Sequence, residues 1–265
     1  MNTGAQSDSR FEDDANRYAA YLETTEGRLR SDVAFANLQE FLPPAPAIAS
    51  LLALDLGCGT GAAGIRLGRL GAHVTLLDSS PAMLGLAERT IAQAGLWDKI
   101  TVVHGDAGRL TDLPERSFDI ILCHHVLEFA GDPAAVLRGV QRAMRDSSSI
   151  LSLVVRNQAG EVLKAALQTG DLAAAEHSLT ADCAQESLYG GNVRLFTPEA
   201  LDGMLKDASL TTAARRGVRV IADYLPARIS RTAEYDRIFA LECKLGRRPE
   251  FFGIARYLHY LCRGS

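Results

Sequence analysis

The chain has 265 residues, 47% of them hydrophobic and 23% charged, with a formal net charge of −4. That usage is globular and long enough to bury a sizeable core. The acidic balance excludes strong sequence-independent binding to nucleic acid or anionic membrane through bulk charge. Cys58, Cys123, Cys183, Cys243 and Cys262 form no CxxC pair, which argues against a zinc site or disulfide framework and for reduced thiols. No apolar run approaches the roughly 18–20 residues of a membrane span, and the first ten residues lack an apolar signal core. The expectation is a cytoplasmic protein with no metal and no membrane partner; oligomeric state is not readable.

Taken in order, residues 1–10 read as a loose tail and residues 11–41 as a helix, ended by Pro43-Pro44-Ala45-Pro46. Leu51–Asp55 is a strand running into a Gly-rich turn, followed by a helix over about 61–70. His73–Leu77 is the second strand, ending at Asp78; Ser80 and Pro81 then suit the cap and first turn of a helix to about residue 94. Ile100–Val103, Phe118–Cys123 and Ile150–Val155 are the next strands, with a helix over 132–144. Such alternation predicts a doubly wound α/β fold with a mostly parallel sheet. Residues 158–195 break the pattern, with helix-like pieces, a Gly190-Gly191 turn and no clear strand. They read as an insertion over the substrate edge. Thr197-Pro198-Glu199 starts another helix, and Gly217–Tyr224 and Tyr257–Leu261 read as late strands around a helix near 232–245. One domain over 1–265 results: a helical leader (11–45), a core (50–157), the insertion (158–195) and a sheet completion (196–265).

Three signals carry the chemistry. Leu54-Asp55-Leu56-Gly57-Cys58-Gly59-Thr60-Gly61 joins an apolar strand to a helix through glycines at alternate positions. Gly allows close backbone approach, and a helix N-terminus offers unpaired N–H groups to pyrophosphate or to the carboxylate of an amino-acid tail. Asp78, 17 residues after Gly61, can accept from ribose hydroxyls. Asp106, with the Ala107 N–H, can hold an adenine ring. Each feature alone has a structural explanation; their recurrence at the ends of successive strands points to a nucleoside-bearing cofactor. The Gly-x-Gly-x-Gly spacing differs from the Gly-x-Gly-x-x-Gly of dinucleotide sites and favours S-adenosylmethionine over NAD.

Over residues 51–156 the sequence resembles the class I S-adenosylmethionine-dependent methyltransferases: Leu54–Gly61, Asp78, Gly105–Ala107 and Phe118-Asp119-Ile120-Ile121 stand where that family has its motifs. The resemblance implies a seven-stranded sheet whose last strand is antiparallel, and S-adenosyl-L-methionine as cofactor. It places Asp55, Gly57, Cys58, Gly59, Gly61, Asp78, Asp106, Ala107 and His124 at the cofactor, with Arg30 reaching its methionine carboxylate. A narrower resemblance covers nearly the whole chain. It is to enzymes that esterify the carboxylate of a modified wobble uridine in tRNA, and it is carried by Thr24–Arg30, His124 with Val126-Leu127-Glu128, Gly217–Val220, Asp223–Leu225 and Arg256–His259. It implies tRNA as the acceptor. The segment Ala181–Glu186 is acidic where the resembled enzymes carry lysines, so a small carboxylate is the alternative acceptor.

Candidate catalytic residues are His124, Arg156 and Arg219, with Arg256 a further cation for an anionic acceptor. His125 reads as structural, pointing away from the site. A carboxylate nucleophile is ionised at neutral pH and needs no general base. The competing readings are O- or N-methylation of a small molecule with His124 or Glu128 as base, and a non-catalytic protein that holds an adenosyl ligand.

Overall fold

A computed structural model of the chain describes residues 15–108, 110, 113–185 and 191–264. The leader is not one helix. Residues 15–23 form α1 and Thr25–Gln39 forms α2, broken at Thr24. The Thr24 hydroxyl accepts from the Gly27 N–H at 3.1 Å, a cap that satisfies one of the orphan donors of α2. The stretch expected to be continuous thus contains its own start signal, Thr followed by a helix-forming run.

From there the chain alternates as expected. The elements are β1 (Leu52–Leu56), α3 (Ala62–Arg69), β2 (His73–Asp78), α4 (Pro81–Ala94), β3 (Ile100–His104), β4 (Ile120–His124), α5 (Pro133–Ala143) and β5 (Ile150–Arg156). The Ser80 hydroxyl caps α4, accepting from Met83 N–H at 3.2 Å, and Asp132 caps α5. Later come α6 (Gln158–Leu163), α7 (Leu172–Ser178), β6 (Cys183–Gln185), β7 (Asn192–Arg194), α8 (Pro198–Asp207), β8 (Thr211–Val218), α9 (Tyr235–Gly246), α10 (Pro249–Phe252) and β9 (Tyr257–Arg263).

Seven strands make one sheet in the order β3-β2-β1-β4-β5-β9-β8, with β9 antiparallel to both neighbours and the first five parallel. Parallel strands covered on both faces read as near-continuous apolar runs, and β4 is the clearest case, with Ile120 to Cys123 all buried. One face packs Leu54, Leu56, Ile121, Leu151 and Leu153 against Val136 and Leu201 of α5 and α8. The other packs Ala53, Leu76, Ile120 and Leu122 against Phe35, Ile65 and Ile91 of α2, α3 and α4. The order reverses between β1 and β4, so the crevice of an open α/β sheet falls at the C-terminal ends of β1, β2, β4 and β5.

Two expectations change. The strand placed at Gly217–Tyr224 lies earlier, at Thr211–Val218, and residues 219–224 turn away from the sheet. The reason is tertiary. Glu242 of α9, fully buried, accepts from the N–H groups of Val220, Ile221 and Ala222 at 2.6, 2.9 and 2.8 Å, replacing ladder partners. The insertion, where no clear strand was expected, contains the antiparallel hairpin β6–β7. It also holds a π-helical turn, Lys164–Thr169, a rare form that is frequent at functional sites. Gly190 of the expected turn lies outside the described residues.

Candidate active site

The Gly-rich turn is built by backbone conformation. Gly57, Gly59 and Gly61 have φ of +63°, +54° and +74°, the left-handed region that side chains with a Cβ avoid. At Gly57 a Cβ would also come within 2.6 Å of Val126 Cγ2. The turn delivers the chain into α3, whose N-cap, Gly61, supplies no side-chain cap. Among the described residues the Gly64 N–H of this first turn meets a side chain, that of Asp55, and the N–H groups of Ala62 and Ala63 meet none, the arrangement that suits a carboxylate or other anion. Behind the turn, the buried Asp55 accepts from Gly64 N–H at 2.8 Å and ties β1 to α3. Burial pushes its carboxyl up to about 7. Asp78 braces the turn from β2: Oδ2 accepts from Gly59 N–H at 2.7 Å and Oδ1 from Ser80 N–H at 2.9 Å. Asp106 follows β3 and folds its Oδ1 onto Gly108 N–H at 2.8 Å, which presents Ala107 beside it.

A cavity of about 560 Å³ opens on this turn, lined by Gly57, Cys58, Thr60, Arg30, His124 and His125 among others. That volume suits a small-molecule or cofactor site. Asp78, Asp106 and Ala107 stand along the same sheet edge, outside its walls. Arg30 enters from α2 and is mostly buried. Its Nη2 donates to the Tyr18 hydroxyl at 3.1 Å, and its guanidinium lies 5.0 Å from the Tyr21 ring centre and 5.9 Å from that of Tyr257. The Tyr18 ring itself covers Gly59, so α1 roofs the turn.

His124 ends β4. Its Nε2 is 2.8 Å from the Ser152 hydroxyl of β5, and burial brings its pKa down to about 3, with His125 and Arg30 adding to the effect. It is a neutral imidazole at every working pH. His125 does not point away as expected. It lines the cavity, has a φ of +60°, packs edge-on to Tyr257 at 4.9 Å, and sits with Nδ1 2.9 Å from Glu128 Oε1. The reversal has a backbone cause: a left-handed residue directly after a strand breaks the alternation of faces on which the expectation rested. Glu128 is buried, and burial pushes its carboxyl up to about 7; Oε1 also accepts from Arg156 N–H at 2.9 Å, while Oε2 has no partner among the described residues.

Beyond His125 lies a second layer. Tyr257, at the start of β9, is surrounded by four guanidiniums. Burial raises the phenol pKa, but Arg219, Arg256, Arg30 and Arg156 outweigh it and bring the pKa down to about 8. Arg219 and Arg256 stand 5.8 and 5.7 Å from the ring centre. Arg219, itself at φ +58°, donates from Nε to Asp223 Oδ1 at 2.8 Å, from Nη2 to the same oxygen, and from Nη1 to the Tyr21 hydroxyl at 3.1 Å. Arg156 Nη1 and Arg256 Nη1 both meet Glu161 Oε1 of α6, at 3.2 and 2.8 Å. The carboxylates interleaved with the four cations are Asp223, Glu161 and Glu128, and Glu128 is the one pushed toward neutrality. The layer therefore carries a positive balance beside the cavity.

Residues 54–151 match the methyltransferase domain family. Over 97% of its length the chain is 26% identical to a tRNA 5-carboxymethoxyuridine methyltransferase of Escherichia coli K12, 96% of which is covered. A ubiquinone biosynthesis O-methyltransferase of Aromatoleum aromaticum is 31% identical over 39% of this chain and 44% of its own. Among solved structures, an S-adenosylmethionine-dependent methyltransferase of Thermotoga maritima superposes with a TM-score of 0.65 at 15% identity, covering 97% of this chain and 99% of the other. One from Mesorhizobium loti gives 0.57 at 18% identity, covering 91% and 98%.

Residues 54–151 thus carry a methyltransferase domain, and the chain is an S-adenosylmethionine-dependent methyltransferase. Its cofactor is S-adenosylmethionine, and the site fits that molecule: α3 offers uncapped N–H groups to an amino-acid carboxylate, and acidic side chains stand at the ends of β2 and β3 for hydroxyl and amino donors. No group of His, Cys, Asp and Glu able to hold a metal ion occurs among the described residues, and no helix there is long and apolar enough to cross a membrane. Sequence reasoning missed Tyr18 and His125 as residues of the cavity wall, and Tyr21 and Glu161 as partners of the guanidiniums beside it. Nothing in the local sequence marks them, since each reaches the site from an element whose docking is decided by tertiary packing.

Proposed function

We propose that this methyltransferase esterifies a carboxylate, and that its acceptor is 5-carboxymethoxyuridine in tRNA, the nucleoside for which the relative aligned along nearly the whole chain is named. The observation that carries the reading is the positive layer of Arg30, Arg156, Arg219 and Arg256 around Tyr257, next to the cavity. A carboxylate acceptor requires such a layer and requires no base.

In this reading Arg30 and the α3 N-terminus hold the cofactor's methionine carboxylate, Asp78 its ribose hydroxyls, and Asp106 with the Ala107 N–H its adenine. Asp55, Gly57, Cys58, Gly59 and Gly61 shape the turn against it, and His124 sits at its reacting end. When bound, the cofactor supplies an electrophilic methyl group on a sulfonium. The protein's part is to bring a carboxylate oxygen into line with it and to exclude water. Well-oriented positioning can remove up to roughly 7–11 kcal/mol of barrier. Arg219 is held in place by Asp223 and Tyr21, and Arg156 by Glu161. These guanidiniums can orient an anion through their field without neutralising it fully, which keeps the oxygen nucleophilic. The chain's residues therefore act by placement and field, and the acceptor arrives already ionised.

The His125–Glu128 pair, with one oxygen of the buried carboxylate unmatched among the described residues, favours a second reading. That pair could accept a proton from a neutral hydroxyl or amine, giving O- or N-methylation of a small molecule. Nucleoside mass spectrometry of tRNA from cells with and without the gene separates the two. Loss of the methyl ester of 5-carboxymethoxyuridine on deletion, restored by the wild-type gene, is the expected result. An unchanged tRNA profile sinks the tRNA reading and turns the search to small acids and phenols.

A further inference from the structure

Behind His124 runs a line of polar groups through the core. His124 Nε2 lies 2.8 Å from Ser152 Oγ; Ser152 Oγ lies 2.8 Å from His259 Nε2; and His259 Nδ1 lies 3.3 Å from the Asn37 amide nitrogen of α2. Ser152 and His259 are fully buried and Asn37 is 1% exposed, so the line crosses from β4 to β5 to β9 to α2 without meeting water. Of its four members only His124 lines the cavity.

The chemistry of the middle link restricts the ends. A serine hydroxyl has one proton. Between two ring nitrogens and with no other partner among the described residues, it donates to one and accepts from the other. The two histidines, both neutral, must then hold opposite tautomers. The direction is set at the far end. The Asn37 amide nitrogen can only donate, so His259 Nδ1 accepts and its proton is on Nε2. His259 Nε2–H donates to Ser152, Ser152 donates to His124 Nε2, and the His124 proton is left on Nδ1. That nitrogen has no hydrogen-bond partner among the described residues, and His124 lines the cavity.

We infer that Asn37, His259 and Ser152 form a buried hydrogen-bond wire that fixes the tautomer of His124, holding it as a neutral Nδ1–H donor toward the acceptor and not as a general base. The inference rests on the reading that the cavity receives the methyl acceptor. It deepens that reading: the only side chain of the β4 end in this wire offers a proton to an oxygen lone pair and cannot take one away. An acceptor oxygen that is already anionic is the chemical class that gains from such a donor. The charged surroundings agree. His125 and Arg30 face His124, and Arg216 and His125 face His259, so each neighbour disfavours a second proton on either ring.

Wild-type protein labelled with ¹⁵N-histidine and without acceptor gives the direct test. Long-range proton–nitrogen spectra are expected to show His124 as the Nδ1–H form and His259 as the Nε2–H form, unchanged from pH 5 to pH 9. The opposite pair of tautomers, which an amide oxygen at His259 would impose, overturns the inference. So does titration of His124 within that range. Ser152→Ala cuts the wire with a small change of volume, and His124 is then expected to populate both tautomers; a pure Nδ1–H form in that variant shows that the wire does not set it. Activity supplies an independent arm. His124→Asn keeps an N–H near the Nδ1 position and has no basic nitrogen. It is expected to stay within about tenfold of wild type, while His124→Ala falls further. Equal losses of about 10²–10⁴ in both variants is the general-base result and ends the proposal. The spectra need no acceptor. If wild-type enzyme methylates no carboxylate, the proposed acceptor is wrong, and the tautomers still decide the wire.

Discussion

At the residue scale, Asp78 and Glu128 show how environment sets what a carboxylate does. Asp78 is part of the turn itself, accepting from two backbone N–H groups, and in the proposed role also holds the ribose. A hydrogen bond to a charged group is worth about 1.5–3 kcal/mol, so Asp78→Ala is expected to weaken S-adenosylmethionine binding about ten- to a hundredfold by isothermal titration. Undiminished affinity removes the assignment. Glu128 is displaced by burial from 4.5 to about 7, equivalent to about 3 kcal/mol. Because the folded value is the higher one, the unfolded chain gives up its proton first as pH rises. Stability is therefore lost progressively between pH 4.5 and 7 and stays lost above. Glu128→Gln does not titrate, so the urea midpoint of wild type relative to this variant is expected to fall from pH 5 to pH 8. Parallel pH profiles would show that Glu128 ionises freely.

At the element scale, the leader matters more than its sequence suggests. It reads as one amphipathic stretch, yet the cap at Thr24 splits it, and α1 then lies across the turn with Tyr18 over Gly59 and its hydroxyl against Arg30. Tyr18→Ala removes the roof and one support of Arg30 without touching the sheet. The expected outcome is a loss of cofactor affinity of about two- to tenfold, the size of one aromatic contact, with little change in thermal midpoint. Equal affinity would place α1 outside the site. The parallel core was legible for the opposite reason. Its signals are local: a buried strand is a short apolar run, and Ser80-Pro81, Asp132-Pro133 and Thr197-Pro198 each state a helix start within two residues. The turn after Val218 was misread as strand because Glu242, 20 to 22 residues further along, satisfies its backbone.

At the scale of the whole molecule, the positive layer joins parts distant in sequence. Arg30 comes from α2, Arg156 from the end of β5, Arg219 from the turn after β8 and Arg256 from the residue just before β9, with Asp223 and Glu161 between them. Such a network is a constraint on docking more than a source of stability, and its members are sensitive to loss of one partner. Asp223→Ala leaves the guanidinium of Arg219 buried without its main acceptor. The expected destabilisation is about 3–5 kcal/mol by urea unfolding. A change near zero would show that water or another group compensates.

The sequence alone determined the class of fold and the cofactor, and marked the positions proposed to face it, because a Gly-rich turn and acidic strand ends act through backbone spacing within short segments. It also named Arg156, Arg219 and Arg256 as cations. Only the tertiary structure decided that these cations gather around Tyr257, that His125 turns into the cavity, and that His124 is tied through Ser152 and His259 to Asn37. Those relations depend on long-range packing between elements up to 222 residues apart, and no local pattern of residues encodes a distance of that kind.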